Sequence, residues 1–142
     1  MPNRILSQRP LNTDVAALLL RLIFGGLFIY HGYTKLISFN QILPYFKDII
    51  GIGSKLSFII LICAELGCGF LVTIGFLTRI TVIPIFIAMS VAVLIAHAKD
   101  TFQIKELAFL FLLLSIVVFV LGSGKYSVDN LIFKRRNQLN TF

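Results

Sequence analysis

Four apolar runs dominate this chain, and each has the length of a bilayer crossing. They are Val15 to Tyr33, broken by Arg21 and His31; Leu56 to Leu77, broken by Glu65; Ile80 to Ala98, with Pro84 near its start and His97 near its end; and Ile104 to Leu121, with Lys105 and Glu106 in its first turn. At a rise of ~1.5 Å per residue the runs span roughly 27–33 Å, close to the thickness of a hydrocarbon core. One such run can be a buried helix of a soluble protein. Four in succession on short connections would expose too much apolar surface to stay dissolved. Composition agrees: 58% of the 142 residues are hydrophobic and 13% charged, where soluble domains carry about a quarter charged residues. The pattern predicts an all-α fold, a four-transmembrane-helix bundle forming one membrane domain over residues 1–142, with spans at 15–33, 56–77, 80–98 and 104–121. The first run is too long for a cleaved signal peptide, and His31-Gly32-Tyr33-Thr34-Lys35 is no small-residue cleavage site.

The formal charge is +7, from thirteen Lys and Arg against six Asp and Glu. Nucleic-acid binding would need a basic face on a soluble fold. Here the cations stand singly between apolar runs or in a short tail, which excludes nucleic acid and makes the lipid bilayer the implied partner. Arg4, Arg9, Arg79, Lys125, Lys134, Arg135 and Arg136 fall on one side of a four-span topology, against Lys35, Lys47, Lys55, Lys99 and Lys105 on the other. The bias predicts a multi-pass protein of the bacterial inner membrane with both termini in the cytoplasm.

The connection from Ser38 to Ser54 is the only long one. Ile42, Leu43, Phe46, Ile49 and Ile50 recur at helical spacing among Asn40, Gln41, Lys47 and Asp48, which predicts a short amphipathic segment on the outer surface of the bundle. At the other end of the chain, Gly122-Ser123-Gly124 stops the fourth helix, and Ser127-Val128-Asp129 is expected to start a short helix running to Phe133. The two cysteines, Cys63 and Cys68, would point about 140° apart on a helix; their spacing suits neither a disulfide nor a metal, and no metal site is expected.

An ionisable side chain at membrane depth costs several kcal/mol unless it is paired or hydrated. Glu65 lies about 13 Å from the outer end of its run and Arg21 about 9 Å from the cytoplasmic end of its own. A salt bridge between them is one reading. Helical side chains lean toward the N-terminus, however, so on antiparallel helices the two lean apart, and Arg21 can instead snorkel to the headgroups. The same geometry favours another grouping. His31 and His97 lie near outer helix ends and lean into the membrane, toward Glu65, while Lys35, Lys99, Asp100 and Glu106 would ring the mouth. That arrangement describes a polar pocket opening to the non-cytoplasmic side, able to relay protons or to hydrogen-bond a quinone-like or oxyanion ligand. Water or headgroups would satisfy either histidine equally well.

Arg21, Gly25, Phe28, Gly32 and Lys35 fall within about 40° of one line on the first helix. With Gly67 and Gly69 on the second, Gly25 and Gly32 are the expected points of close helix packing. No phosphate-binding, dinucleotide, zinc-protease or serine-hydrolase motif is present.

Taken in order, Arg21-Leu22-Ile23-Phe24-Gly25-Gly26-Leu27-Phe28, His31-Gly32-Tyr33-Thr34-Lys35-Leu36, Ala64-Glu65-Leu66-Gly67, Gly75-Phe76-Leu77-Thr78-Arg79, His97, Glu106-Leu107 and Gly122-Ser123-Gly124-Lys125-Tyr126-Ser127-Val128-Asp129 resemble the DoxX family of small bacterial membrane proteins. The likeness runs over nearly the whole chain. Ser123 stands where the family usually has proline, and Val128 where it usually has leucine. The resemblance implies a four-helix membrane bundle, and some relatives are linked to thiosulfate oxidation with electrons passed to quinone, others to redox stress complexes. It points to Arg21, His31, Lys35, Glu65, Arg79, His97 and Glu106 as the polar positions of interest. Three functions follow as alternatives. One is an accessory subunit of a membrane redox system that binds quinone or a small anion, any enzymatic activity then belonging to a quinone-linked oxidoreductase complex. Its electrons would come from a soluble or membrane redox partner, since the sequence supplies no metal, flavin or thiol centre; a bound quinone is the one cofactor this reading implies. Another is a non-enzymatic transporter or channel, which would require a homo-oligomer. The last is a scaffold whose polar residues only lock the bundle.

Overall fold

A computed structural model describes residues 12–49 and 51–132. Four helices of spanning length follow one another: α1 (Thr13–Ile37), α2 (Ser54–Ile74), α3 (Thr78–Ala96) and α4 (Phe102–Leu121). There is no strand among the described residues. All four helices begin two residues before the apolar pattern does, because polar residues open them: Thr13 and Asp14, Ser54 and Lys55, Thr78 and Arg79, and Gln103 after Phe102. Asn12 caps α1, its side-chain oxygen accepting the N–H groups of Asp14 and Val15 at 3.0 and 3.2 Å, and Asp14 adds a favourable charge to that first turn. α2 stops at Gly75, whose φ of 74° turns the chain left-handed; the Phe76 N–H then reaches back to the Leu71 carbonyl at 2.9 Å.

The core is aromatic and aliphatic, built from Phe24 and Phe28 of α1, Val72 of α2, Val82, Ile85 and Met89 of α3, and Phe111 and Val118 of α4. Phe28 sits at its centre, its ring 4.8 Å from those of Phe24 and Phe111. Gly25 and Gly69 bring α1 and α2 together: a Cβ on Gly25 would stand 2.6 Å from the Gly69 carbonyl oxygen, and one on Gly32 would meet the Glu65 Cβ at 3.0 Å. Gly67 takes no part in this seam. A Cβ there would meet nothing, since the residue faces outward, away from α1. Around the outside, rows such as Leu110, Leu113, Val117 and Val120 of α4 are exposed, as a lipid-facing surface requires.

At the end where both described chain ends emerge, polar side chains tie the segments into a knot. The Lys125 N–H donates to Asp14 at 3.0 Å. Asp129 accepts from the Leu77 N–H at 2.8 Å and, more loosely, from that of Thr78 at the start of α3, while its own N–H donates to the Gly75 carbonyl. Arg79 donates to the carbonyls of Phe119 and Val120 in the last turn of α4. Residues 128–132 form the expected short helix, capped by Ser127, whose hydroxyl accepts the Asn130 N–H; Phe133 and the Lys134-Arg135-Arg136 run lie outside the described residues.

At the far end, the connection after α1 is amphipathic but is not one continuous helix. It makes a single helical turn, Phe39–Ile42, then a tighter turn, Leu43–Tyr45, containing Pro44. Proline removes an N–H and ends the ladder. Phe39 and Phe46 pack on Phe58 of α2, with ring centroids 5.1 and 4.8 Å away, while Lys47 and Asp48 are exposed. Of the apolar set expected here, Ile50 lies outside the described residues.

Candidate functional site

A cavity of about 540 Å³ lies in the far half of the bundle. Its back wall is α1 and α4, through Phe28, His31 and Lys35 on one and Leu107, Ala108 and Phe111 on the other. Its sides are α2 and α3, and Phe46 and Ile49 of the connection partly cover it.

The deepest polar group is Glu65, only 2% exposed. Its partner is Lys35, whose ammonium donates to both carboxylate oxygens, at 2.6 Å to Oε2. Side-chain direction explains the pairing. Lys35, near the far end of α1, leans back into the membrane, and Glu65 on the antiparallel α2 leans up toward it. Gly32 lies one turn below Lys35 on the same face of α1, and its missing side chain lets the Glu65 backbone come close enough. A lone carboxylate this deep would be costly to ionise; the bidentate ammonium offsets that cost.

Glu65 also sits in irregular helix. Ala64–Cys68 form a π turn, and Ala92–Ala96 of α3 form another, ending at His97. Such wide turns re-aim the side chains beside them, and here the two stand on opposite sides of one cavity. The His97 Nδ1 is paired with Asp100 at 2.7 Å. His31 lies edge-on to Phe111, centroids 5.8 Å apart, and no hydrogen bond engages its ring nitrogens among the described residues.

The structure therefore brings Glu65, His31, His97 and Lys35 to one cavity, with Lys35 at the carboxylate and not at the mouth. It does not bring Arg21 or Glu106 there. Arg21 is 1% exposed at the opposite end, where it donates to the Tyr126 carbonyl at 2.5 Å and packs against Gly75 and Ser127. It forms no pair with Glu65 and does not snorkel, because the returning C-terminal segment covers it. Glu106 is exposed just beyond the first turn of α4, outside the cavity lining. Two contributors were not singled out from sequence: Ser57, buried against the cavity, and Asp100 as the partner of His97. The i, i+3 spacing of His97 and Asp100 was a usable signal for the second. Among the described residues no cluster of three or more metal-ligating side chains occurs, and both cysteines are free.

The arrangement is an apolar chamber with a polar floor and wall. It can offer N–H donors from an ammonium and imidazoles to a ligand oxygen, with a carboxylate behind them.

The DoxX family profile matches residues 16–98, which include Lys35, Glu65, His31 and His97. A Bacillus subtilis (strain 168) protein named "Putative oxidoreductase CatD" is 30% identical over 128 residues, covering 89% of this chain and 94% of the relative. The Escherichia coli (strain K12) protein named "Inner membrane protein YqjF" is 29% identical over 130 residues, covering 86% and 95%. No solved structure matches the chain.

Proposed function

This chain belongs to the DoxX family of multi-pass inner-membrane proteins, and from that premise we propose that it is a quinone-binding accessory subunit of a membrane redox system. The observation that carries the reading is the chamber between the spans, whose one charged floor group is the Lys35–Glu65 pair. Apolar walls with a few convergent polar groups are what an aromatic ring bearing two carbonyl oxygens requires. Lys35 Nζ keeps a third N–H beyond those given to Glu65, and among the described residues no hydrogen bond engages the ring nitrogens of His31. Quinone is favoured over a small anion because the floor is a neutral pair: Glu65 repels the charge that Lys35 would attract. The name of the B. subtilis relative agrees with redox work, in which the electrons come from a partner protein and this chain binds and orients the quinone.

The test is the content of the purified protein. Gentle extraction followed by mass spectrometry of retained small molecules is expected to return a quinone from the wild type and several-fold less from Glu65→Gln at equal helical content. Equal retention in both, or none in either, refutes the proposal. A scaffold role instead predicts no ligand in either protein, with Glu65→Gln lowering partner recovery.

A further inference from the structure

The cavity is a slot rather than a closed chamber, and its open side faces the bilayer. The tight turn at Gly75 joins α2 to α3, so these two helices are held together at the terminal end. They pack on one another as far as the π turn of α2 and then part. Beyond that point Ser54–Cys63 packs on α1 and on the connection, whereas the last turns of α3 pack on α4. Between the parted halves lies the slot. On α3 it is lined at Pro84, Ile87, Val91 and Ala96, which at ~1.5 Å per residue is a length of about 18 Å along the helix. Its lips are apolar side chains that line the cavity and are also open to the outside: Ile60 on α2 is 48% exposed and Ile87 on α3 55%. Among the described residues, no charged side chain stands beside Ile60 or Ile87 in the lining of either lip.

We propose that this slot is a lateral portal through which a lipid-soluble ligand enters from the bilayer, its polar ring at Lys35, Glu65 and His31 and its hydrocarbon tail leaving between Ile60 and Ile87. The proposal rests on the quinone reading and narrows it to long-tailed, membrane-dissolved quinones. A tail emerging past two isoleucines stays among apolar atoms along its whole length and costs no desolvation. The route through the far end is different in character: a tail leaving there would pass His97 and Asp100 and emerge at water. Phe46 and Ile49 belong to the connection at that end, where Phe46 packs on Phe58 of α2.

The experiment uses the unmodified full chain in phospholipid nanodiscs and two photoreactive benzoquinones, one with a diazirine on the ring and one with it at the end of a ten-carbon tail. Crosslinked residues are mapped by peptide mass spectrometry, with and without a hundredfold excess of unlabelled long-chain quinone. The expected result is competable ring labelling on the helix segments around Lys35 and Glu65, and competable tail labelling around Ile60 and Ile87. Ring labelling at the floor with tail labelling at Phe46, Ile49 or His97 overturns the portal while leaving the quinone site standing. Absence of competable labelling from either probe overturns the quinone reading, and the portal with it.

Discussion

Breaking the Lys35–Glu65 pair should cost very different amounts depending on which partner is removed. In Lys35→Met the carboxylate stays where it is, its side chain 3% exposed, walled by α1 and by its own helix, with only the cavity beside it as a route to water. Removing one partner from a buried pair costs about 3–5 kcal/mol, and the lower end, about 3, applies here because the cavity can admit some water. In Glu65→Gln the survivor is an ammonium on a flexible stem, already 28% exposed near a helix end. It can extend to the headgroups, and the amide still accepts a hydrogen bond, so about 1 kcal/mol is expected. The double variant Lys35→Met/Glu65→Gln removes both charges and should cost about 2 kcal/mol, less than the roughly 4 of the two singles together. The assay is unfolding in mixed micelles by titration with sodium dodecyl sulfate, followed by far-ultraviolet circular dichroism. Equal costs for the two singles, or a double variant additive to within about 0.5 kcal/mol, would refute the argument that Glu65 is a trapped charge held by one neighbour.

The glycines provide an internal control in the same assay. Gly25→Ala drives a methyl into the Gly69 carbonyl and should cost about 1–3 kcal/mol, whereas Gly67→Ala, facing open space, should be neutral or stabilising by up to about 1 kcal/mol. Asp129→Ala removes the carboxylate at the start of α3 and should cost about 1–2 kcal/mol, with faster proteolysis after Tyr126 as a second readout. Asp48 predicts a pH dependence. Its carboxylate accepts the Gly53 N–H at 2.9 Å, together with the Ser57 hydroxyl and the Gly51 N–H. Those donors, the Gly53 N–H foremost, hold it below the usual carboxylate range against a smaller opposing effect of desolvation. A depressed folded value means the stabilisation is present above about pH 3.9, the ordinary aspartate value, and is lost as pH falls through the lower folded one. The stability difference between wild type and Asp48→Asn should therefore be flat from pH 7 to 5 and shrink in stronger acid; a difference that grows on acidification would contradict it.

Much of the candidate site is legible in the sequence. The leaning of helical side chains toward the N-terminus, applied to Glu65, His31 and His97 on helices of known order, places all three near one cavity. Lys35 obeys the same rule. Its place at the mouth rather than at the carboxylate came from ending α1 at Tyr33, since the apolar pattern stops where the helix does not. Arg21 was opaque for another reason. Whether a cation one-third of the way into a span snorkels, pairs or is capped depends on what covers it, and here the cover is a carbonyl more than a hundred residues away in sequence. Gly67 looked like its neighbours because a small residue marks close packing only if its face meets another helix.

Chain chemistry alone determined the number of spans, their order and the depth of each ionisable group, because hydrocarbon leaves a continuous apolar run of this length no alternative to helix and forces every polar side chain to be accounted for. Tertiary structure decided the partners. The π turns at Ala64–Cys68 and Ala92–Ala96, the splaying of α2 from α3 above the Gly75 turn, and the folding of the C-terminal segment over Arg21 each depend on contacts between distant segments. Local propensity carries no record of such contacts, and they are what turn four adjacent helices into a bundle with a slot in its side.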